Sequence, residues 1–581
     1  MKSSSILRGA AAAAAIVCIA GGSFAWAQGA PAGGSGYRDP PAPIAQILDA
    51  APTPAVALSP DRRTLALLGR ENLPKIAAVA EPILKLAGYR LNPRTRGPVE
   101  QRANWLNALS FQDLAGGEAR PVALPAGARF MSPSWSPDGR SMAFLVEAEG
   151  GLELWVADVA SARARRLTDA RVSAAWGGAY SWLPDSSAVL ARLTPEVQGA
   201  APEAPRAPGG PLVQENKGRA TPGRTYQDLL SNPADEALFD HYFTVQLARV
   251  SLKDGAIQPL GQPGLYAGAA VSPDGRYILT TRLKRPYSYI VPASRFPTEV
   301  NVVDWSGGVI KQVVDRPLAD DIPPPFDAVV TGPRSFSWRD DAPATLVWAE
   351  AQDGGDPRKK VAVHDRVYMQ AAPFKAAPTT LVDLEQRYGG VQWGRSNFAI
   401  VNSAWWDTRN EKRIAVDPSR PGEGRVLIER NYQDQYGDPG DVVMRPTPNG
   451  RALIHFTPDG KGVFMTGQGA RREGDFPFLS RMAIADASMK KLWEAGASHY
   501  EPIVALADDK GARLITQRQS RTDAPNYFLR TVGAGEPVAL TRFEDKAPQF
   551  AGVTKQLITY KRADGLPLSG TLYLPAGYDA R

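Results

Sequence analysis

Hydrophobic positions along the chain come in short runs, each entered through a polar turn of nearly constant composition. "SPDRRTLALL" begins at Ser59, "SWSPDGRSMAFLV" at Ser134, "SWLPDSSAVLARL" at Ser181 and "AVSPDGRYILTTRL" at Ala270. Weaker copies begin at Ser337 ("SWRDDAPATLVWAE"), Thr457 ("TPDGKGVFMTG") and Leu506 ("LADDKGARLITQR"). "VQWGRSNFAIV" from Val391 keeps the strand pattern with degraded turn residues. In each clear copy proline sets φ for the first turn position, aspartate bonds to nearby backbone, and glycine takes the positive-φ position that closes the hairpin. An aromatic or apolar residue precedes the turn (Trp135, Trp182, Val271, Trp338), and a β-favouring run follows it, as in Phe144-Leu145-Val146 and Tyr277-Ile278-Leu279.

Such units cannot bury both faces alone, so they must stack on one another and close into a ring. Their irregular spacing, with no linkers between copies, predicts four-stranded blades with variable loops and disfavours a string of β-sandwiches. The expectation is an all-β, seven-bladed β-propeller over residues 45–550, eight-bladed if the Val391 copy counts, after an N-terminal extension at 28–44. Two stretches depart from the pattern. Residues 193–225, rich in Pro, Ala and Gly without apolar periodicity, predict a flexible insertion between blades. Residues 226–243 predict a short helical insert of two turns broken at Asn232-Pro233.

Composition narrows the class. Hydrophobic residues make up 43% and charged residues 22% of 581, which argues for a folded protein, and 54 Gly with 51 Pro suit many turns. Lys2 and Arg8, the apolar Gly9 to Phe24, and Ala25-Trp26-Ala27 before Gln28 read as a signal peptide over 1–27 cleaved between Ala27 and Gln28. That implies a periplasmic or secreted protein with no stable membrane span once the signal is removed. The single cysteine, Cys18, lies within it after Val17, an unsuitable neighbour for lipid attachment, so the mature chain has neither disulfides nor a thiol nucleophile. Net charge is +7, or +5 without Lys2 and Arg8, and the basic residues are scattered among 60 acidic ones, which argues against a nucleic-acid partner.

Candidate chemistry is sparse. Four histidines (His241, His364, His455, His499) stand in no i, i+3 or i, i+4 pair, so no metal site is spelled out and no cofactor is implied. Asp434, Asp438 and Asp441 have the hard oxygens calcium prefers but lack the EF-hand register, so a polar loop is the simpler reading. Asp320, Asp321 and Asp327 are read the same way. Arg471 and Arg472, in a glycine-rich loop, suit either a substrate carboxylate or plain solvent. No G-x-S-x-G elbow, Walker loop or Rossmann loop occurs, so no catalytic residue is assigned.

Three further stretches carry a resemblance: "RTYQDLLSNPADEALFDHYFTVQL" from Arg224, "GDFPFLSRMAIADASMKKLWEA" from Gly474 and "ITYKRADGLPLSGTLYLPAGYD" from Ile558. Together the chain resembles the prolyl oligopeptidase family of serine peptidases, in particular its glutamyl endopeptidase branch. In that family an N-terminal propeller covers a C-terminal α/β-hydrolase domain carrying serine, aspartate and histidine. The resemblance implies that residues 551–581 are the first hairpin of that domain, with Asp564-Gly565 at its turn, and that the triad is absent from this chain. The expected role is a substrate-gating propeller of an exported peptidase acting on peptides, with cleavage after glutamate, inactive alone. The alternative is a non-enzymatic envelope propeller serving as a protein-interaction module. Oligomeric state is open.

Overall fold

The computed structural model of the chain describes residues 40–203, 225–322 and 325–579. Ala27, Gln28, Cys18 and most of the 193–225 insertion lie outside the described residues. Nearly all regular structure is β, arranged as eight four-stranded sheets in chain order. Sheets 1 to 8 span 55–121, 130–166, 180–264, 266–316, 333–384, 387–431, 441–494 and 503–539. Every sheet is antiparallel and meanders from its first strand to its fourth.

All eight quoted sequence stretches fall at the turn between the first and second strands of a different sheet, the Val391 stretch in sheet 6. Four of the turns share one hydrogen-bond scheme. Ser136 Oγ donates to Asp138 Oδ1 (2.6 Å) and accepts from the Ser141 amide (2.9 Å). Ser59 with Asp61, Ser272 with Asp274 and Thr457 with Asp459 repeat it. Gly139 has φ +71° and Gly275 φ +74°, while Arg62 and Ser186 take the same left-handed position in the copies that lack glycine.

Packing is serial. One buried cluster fills each joint: Phe111 with Phe144 between sheets 1 and 2, Leu154 with Val189 between 2 and 3, Ala188 with Ile278 between 3 and 4, and Val302 with Leu346 between 4 and 5. Val347 with Ala399, Ile400 with Val463, and Phe464 with Leu514 continue through sheets 5 to 8. An eighth cluster, with Leu65 and Ile515 both fully buried, packs sheet 8 against sheet 1. Among the described residues no strand is shared across this seam. It is held by packing, by Arg62 on Asp509 (2.9 Å), by the Tyr527 hydroxyl on the Pro54 carbonyl (3.0 Å) and by Gln112 on the Leu540 carbonyl (2.6 Å).

Because first strands run toward the shared turns, every connection from second to third strand emerges on the opposite side. We call these the turn face and the insertion face. Sheet 1 inserts a three-stranded ribbon (strands Leu84–Leu86, Tyr89–Asn92, Gly97–Pro98) and sheet 3 inserts residues 194–244. The described part of the latter contains one helix, Pro233–Phe243, rather than two broken turns. Asn232 does not break it: its side chain caps the Asp235 amide (3.0 Å) and Pro233 takes the first helical position, where no amide is needed. Phe239 and Phe243 then pack with Trp176 and Tyr89 of neighbouring segments, ring centres 4.7–6.0 Å apart.

Candidate functional site on the insertion face

Chain entry at Ala55, the insertions and the segment after Ala539 all lie on one face, so that face concentrates irregular backbone, the usual carrier of function. On this face a cavity of 1010 Å³ opens between sheets 7 and 8 and the terminal hairpin (strands Thr554–Lys561 and Pro567–Leu574). Sheet 7 contributes Asp475 and Phe476 from its insertion, sheet 8 contributes His499, Tyr500 and Arg521 from its strand ends, and the hairpin contributes Lys555 and Tyr573. The wall thus mixes both charge signs with aromatic faces, a surface suited to polar chains such as peptides.

Within the wall, Ser498 Oγ lies 2.8 Å from His499 Nδ1, and His499 Nε2 lies 3.4 Å from Asp523 Oδ2. The sequence did not single out this alignment. Asp523 is held below the usual carboxylate range by the Ser520 hydroxyl, which donates to it at 2.7 Å. The order of contacts resembles a hydrolytic relay, but Ser498 and His499 are consecutive residues and Ser498 is exposed. A hydrated serine beside its own neighbour lacks the fixed, desolvated setting an activated nucleophile needs. The group pins the loop.

A second polar centre lies between sheets 5 and 6. Asp353 and Asp365, with no exposed side-chain surface, receive Arg387 (2.5 and 3.0 Å), while Arg334 pairs with Asp365 and His364 Nδ1 with Asp353 (2.8 Å). Burial alone would raise the Asp353 carboxyl, yet Arg387 and His364 hold it below its ordinary value. Each charge meets an opposite one, so the cluster fixes the start of two first strands rather than offering a ligand site.

The other candidates are dispersed. His241 faces Arg96 (2.9 Å), and burial with that guanidinium lowers its pKa. His455 is buried, bonded to the Asp509 carbonyl (3.2 Å), and likewise shifted down by burial and by Arg62. Asp434 accepts the Tyr436 and Gly437 amides, Asp438 the Gly440 amide, and Asp441 Arg413 (3.0 Å). These partners spread the three carboxylates over separate local tasks. Asp327 accepts the Trp406 amide (2.9 Å). Arg471 pairs with Glu494 and lies over Phe476, while Arg472 is exposed beside the cavity wall. Among the described residues no helix is long and apolar enough to cross a membrane.

The terminal hairpin is built as the sequence predicts, with Gly565 at φ +86° and Arg562 on Asp564. Its side chains are largely uncovered: Leu557 is 68%, Tyr573 60% and Ile558 43% exposed. A two-stranded hairpin with bare apolar residues is marginal in water without a further layer.

No family model matches the chain. Among curated proteins it is 35% identical over 574 residues to "Probable glutamyl endopeptidase, chloroplastic" of Oryza sativa subsp. japonica, covering 94% of this chain and 61% of that protein. It is 36% identical over 576 residues to the protein of the same name from Arabidopsis thaliana, covering 94% and 59%. The chain therefore spans about three fifths of the length of these relatives. Among solved structures, Pyrococcus horikoshii acylaminoacyl peptidase aligns at 12% identity and a TM-score of 0.37, covering 90% of this chain and 58% of that one. At that score neither fold nor activity carries over.

Proposed function

We infer that this chain belongs to the glutamyl endopeptidase branch of the prolyl oligopeptidase family, and its function is built on that membership. The observation that carries it is 35–36% identity to proteins named glutamyl endopeptidase across 94% of the chain. The eight serially packed sheets are read as an eight-bladed β-propeller whose seam between sheets 8 and 1 is closed by side chains alone.

In this reading the propeller is the gate of an exported serine peptidase, placed in the periplasm or secreted by the segment before Gln28. Acyl transfer in this reading uses the serine, histidine and aspartate of an α/β-hydrolase domain, whose backbone amides hold the oxyanion. That domain docks on the insertion face, where the bare apolar side of the terminal hairpin gives it a strand pair to extend. The cavity beneath then becomes a chamber between the two domains, with Tyr573 and Phe476 offering apolar contact and Arg521 and Lys555 offering positive charge to an acidic side chain. Cleavage after glutamate is proposed on that basis and on the name of the relatives. Gating means that only short or unfolded peptides fit the chamber, because folded substrates exceed a cavity of this size.

The test is a fluorophosphonate serine probe applied to the 581-residue chain and to a longer fusion of it with the part of the Oryza sativa relative that the match leaves uncovered. The longer product takes up the probe and cleaves a fluorogenic peptide after glutamate, and the shorter one stays unlabelled. Labelling of the shorter chain that disappears in Ser498→Ala would place an activated serine in the propeller and overturn the assignment.

A further inference from the structure

The first strand of sheet 7 is interrupted. After Asp441-Val442 the backbone leaves the sheet as a hairpin, Met444–Pro446 paired with Ala452–Ile454, and rejoins it at the Phe456–Val463 bridge. First strands are the innermost of each sheet, so an excursion from one projects toward the ring axis. The tip, Thr447-Pro448-Asn449-Gly450, repeats the chemistry of the turns around it: Thr447 Oγ1 donates to Asn449 Oδ1 (2.5 Å), and the Gly450 amide donates to the Thr447 carbonyl (2.9 Å).

Its contacts reach sheets that are not its neighbours. A Cβ at Gly450 would lie 2.8 Å from Cγ of Pro137, in the turn of sheet 2. Asn449 Nδ2 donates to the Pro273 carbonyl (3.4 Å) and Arg451 to that of Val271, both in sheet 4. Arg451 also faces Asp340 of sheet 5 (3.5 Å). Met444 Sδ takes Gln392 of sheet 6 (3.7 Å). Arg445 pairs with Asp509 of sheet 8 (3.3 Å), the same carboxylate that receives Arg62 of sheet 1 across the seam. A hairpin rooted in sheet 7 that touches sheets 2, 4, 5, 6 and 8 at their turn-face ends must lie across the axis.

We propose that hairpin 444–454 is a plug that shuts the central channel at the turn face and braces the seam between sheets 8 and 1. This rests on the ring arrangement inferred above. Peptides then reach the chamber only from the side of the insertion face, and the far mouth of the propeller is closed to them. The consequence is size selection by one opening rather than two, with the seam stiffened through Asp509 by the element that closes the channel.

Two readouts test this in the 581-residue chain carrying Cys18→Ser. A Cβ at 450 lies 3.4 Å from Cβ of Pro137, next to the roughly 3.5–4.5 Å span of disulfides, so Gly450→Cys with Pro137→Cys is expected to cross-link on mild oxidation. Absence of the cross-link in a folded double variant would overturn the plug. The second readout uses Ser335→Cys, an exposed position on the bulged first strand of sheet 5, whose free edge faces the axis. Its modification by a bulky polymer-linked maleimide is expected to be equally slow with the 137–450 bridge closed or reduced. It accelerates several-fold when residues 445–453 are replaced by two glycines. An unchanged rate in that shortened chain, folded by circular dichroism, would show that the hairpin obstructs nothing. If the shortened chain does not fold, the cross-link decides. Both readouts are independent of serine-probe labelling, so failure of the peptidase assignment and failure of the plug are distinguishable.

Discussion

Packing of sheet 8 against sheet 1 predicts measurable coupling between residues 450 positions apart in sequence. Leu65 of sheet 1 and Ile515 of sheet 8 both have 0% exposure and share the seam cluster. Truncating either to alanine removes buried methyl groups and leaves a cavity, at a cost of about 2–5 kcal/mol. At about 2.1 cal/mol/K per residue, the described core of some 500 residues has an unfolding entropy near 1 kcal/mol/K, so each single variant should melt a few degrees lower. The double variant should differ from additivity by about 0.5–3 kcal/mol, because the two truncations enlarge one shared space. The control is Leu65→Ala with Leu346→Ala, a residue equally buried between sheets 4 and 5, where additivity should hold within about 0.5 kcal/mol. The assay is thermal and urea unfolding of the three single and two double variants by near-ultraviolet circular dichroism. If Leu65 and Ile515 add as simply as Leu65 and Leu346, sheets 8 and 1 do not share a core in solution and the ring is open at that seam.

Other expectations are more local. Gly355 has φ +81° and a Cβ there would stand 2.1 Å from the Val329 carbonyl oxygen, so Gly355→Ala should cost at least the roughly 1–3 kcal/mol of a strained left-handed residue, read as a lowered melting temperature. Burial, opposed by Arg451 and assisted by Asp341, pushes Asp340 up to about 6. A carboxyl raised in the folded state stays protonated there while the unfolded chain has already ionised, so this group makes stability fall as pH rises between its ordinary value and about 6. Asp340→Asn should flatten that limb of the melting-temperature profile, and an unchanged slope between those pH values would refute the assignment to this residue.

How much of this was legible in the sequence depends on range. The turns were, because Ser136, Asp138 and Gly139 satisfy one another within a few residues, and the same local scheme at Ser59, Ser272 and Thr457 marks one sheet each. Even the weak copy from Val391 coincides with sheet 6, since its strand Phe398–Trp405 keeps the apolar pattern although the turn lost its proline and aspartate. The helix at Pro233 was visible but misjudged: Asn-Pro reads as a breaker in isolation, and it is a cap followed by a first-turn proline once the downstream residues are helical. The candidate site was scarcely legible. His499 and Asp523 are separated by two strands, and the cavity wall collects residues from Glu473 to Tyr573 that no spacing rule connects.

The hairpin at 444–454 shows the division most directly. "TPNG" from Thr447 follows the pattern of the turns at Ser136, Ser272 and Thr457, and local hydrogen bonding alone made it a tight turn. Nothing in those residues tells a turn on the rim from a turn on the axis. The sequence by itself determined the all-β class, the repeat and the chemistry of each turn, because those follow from φ preferences, short-range hydrogen bonds and alternation within a few residues. Only the tertiary structure decided that sheet 8 packs against sheet 1, that a cavity opens between sheets 7 and 8 and the terminal hairpin, and that one turn leaves its sheet to reach Pro137, Pro273 and Asp340. Those outcomes depend on contacts between residues hundreds of positions apart, where the energy lies in packing between sheets and leaves no local pattern.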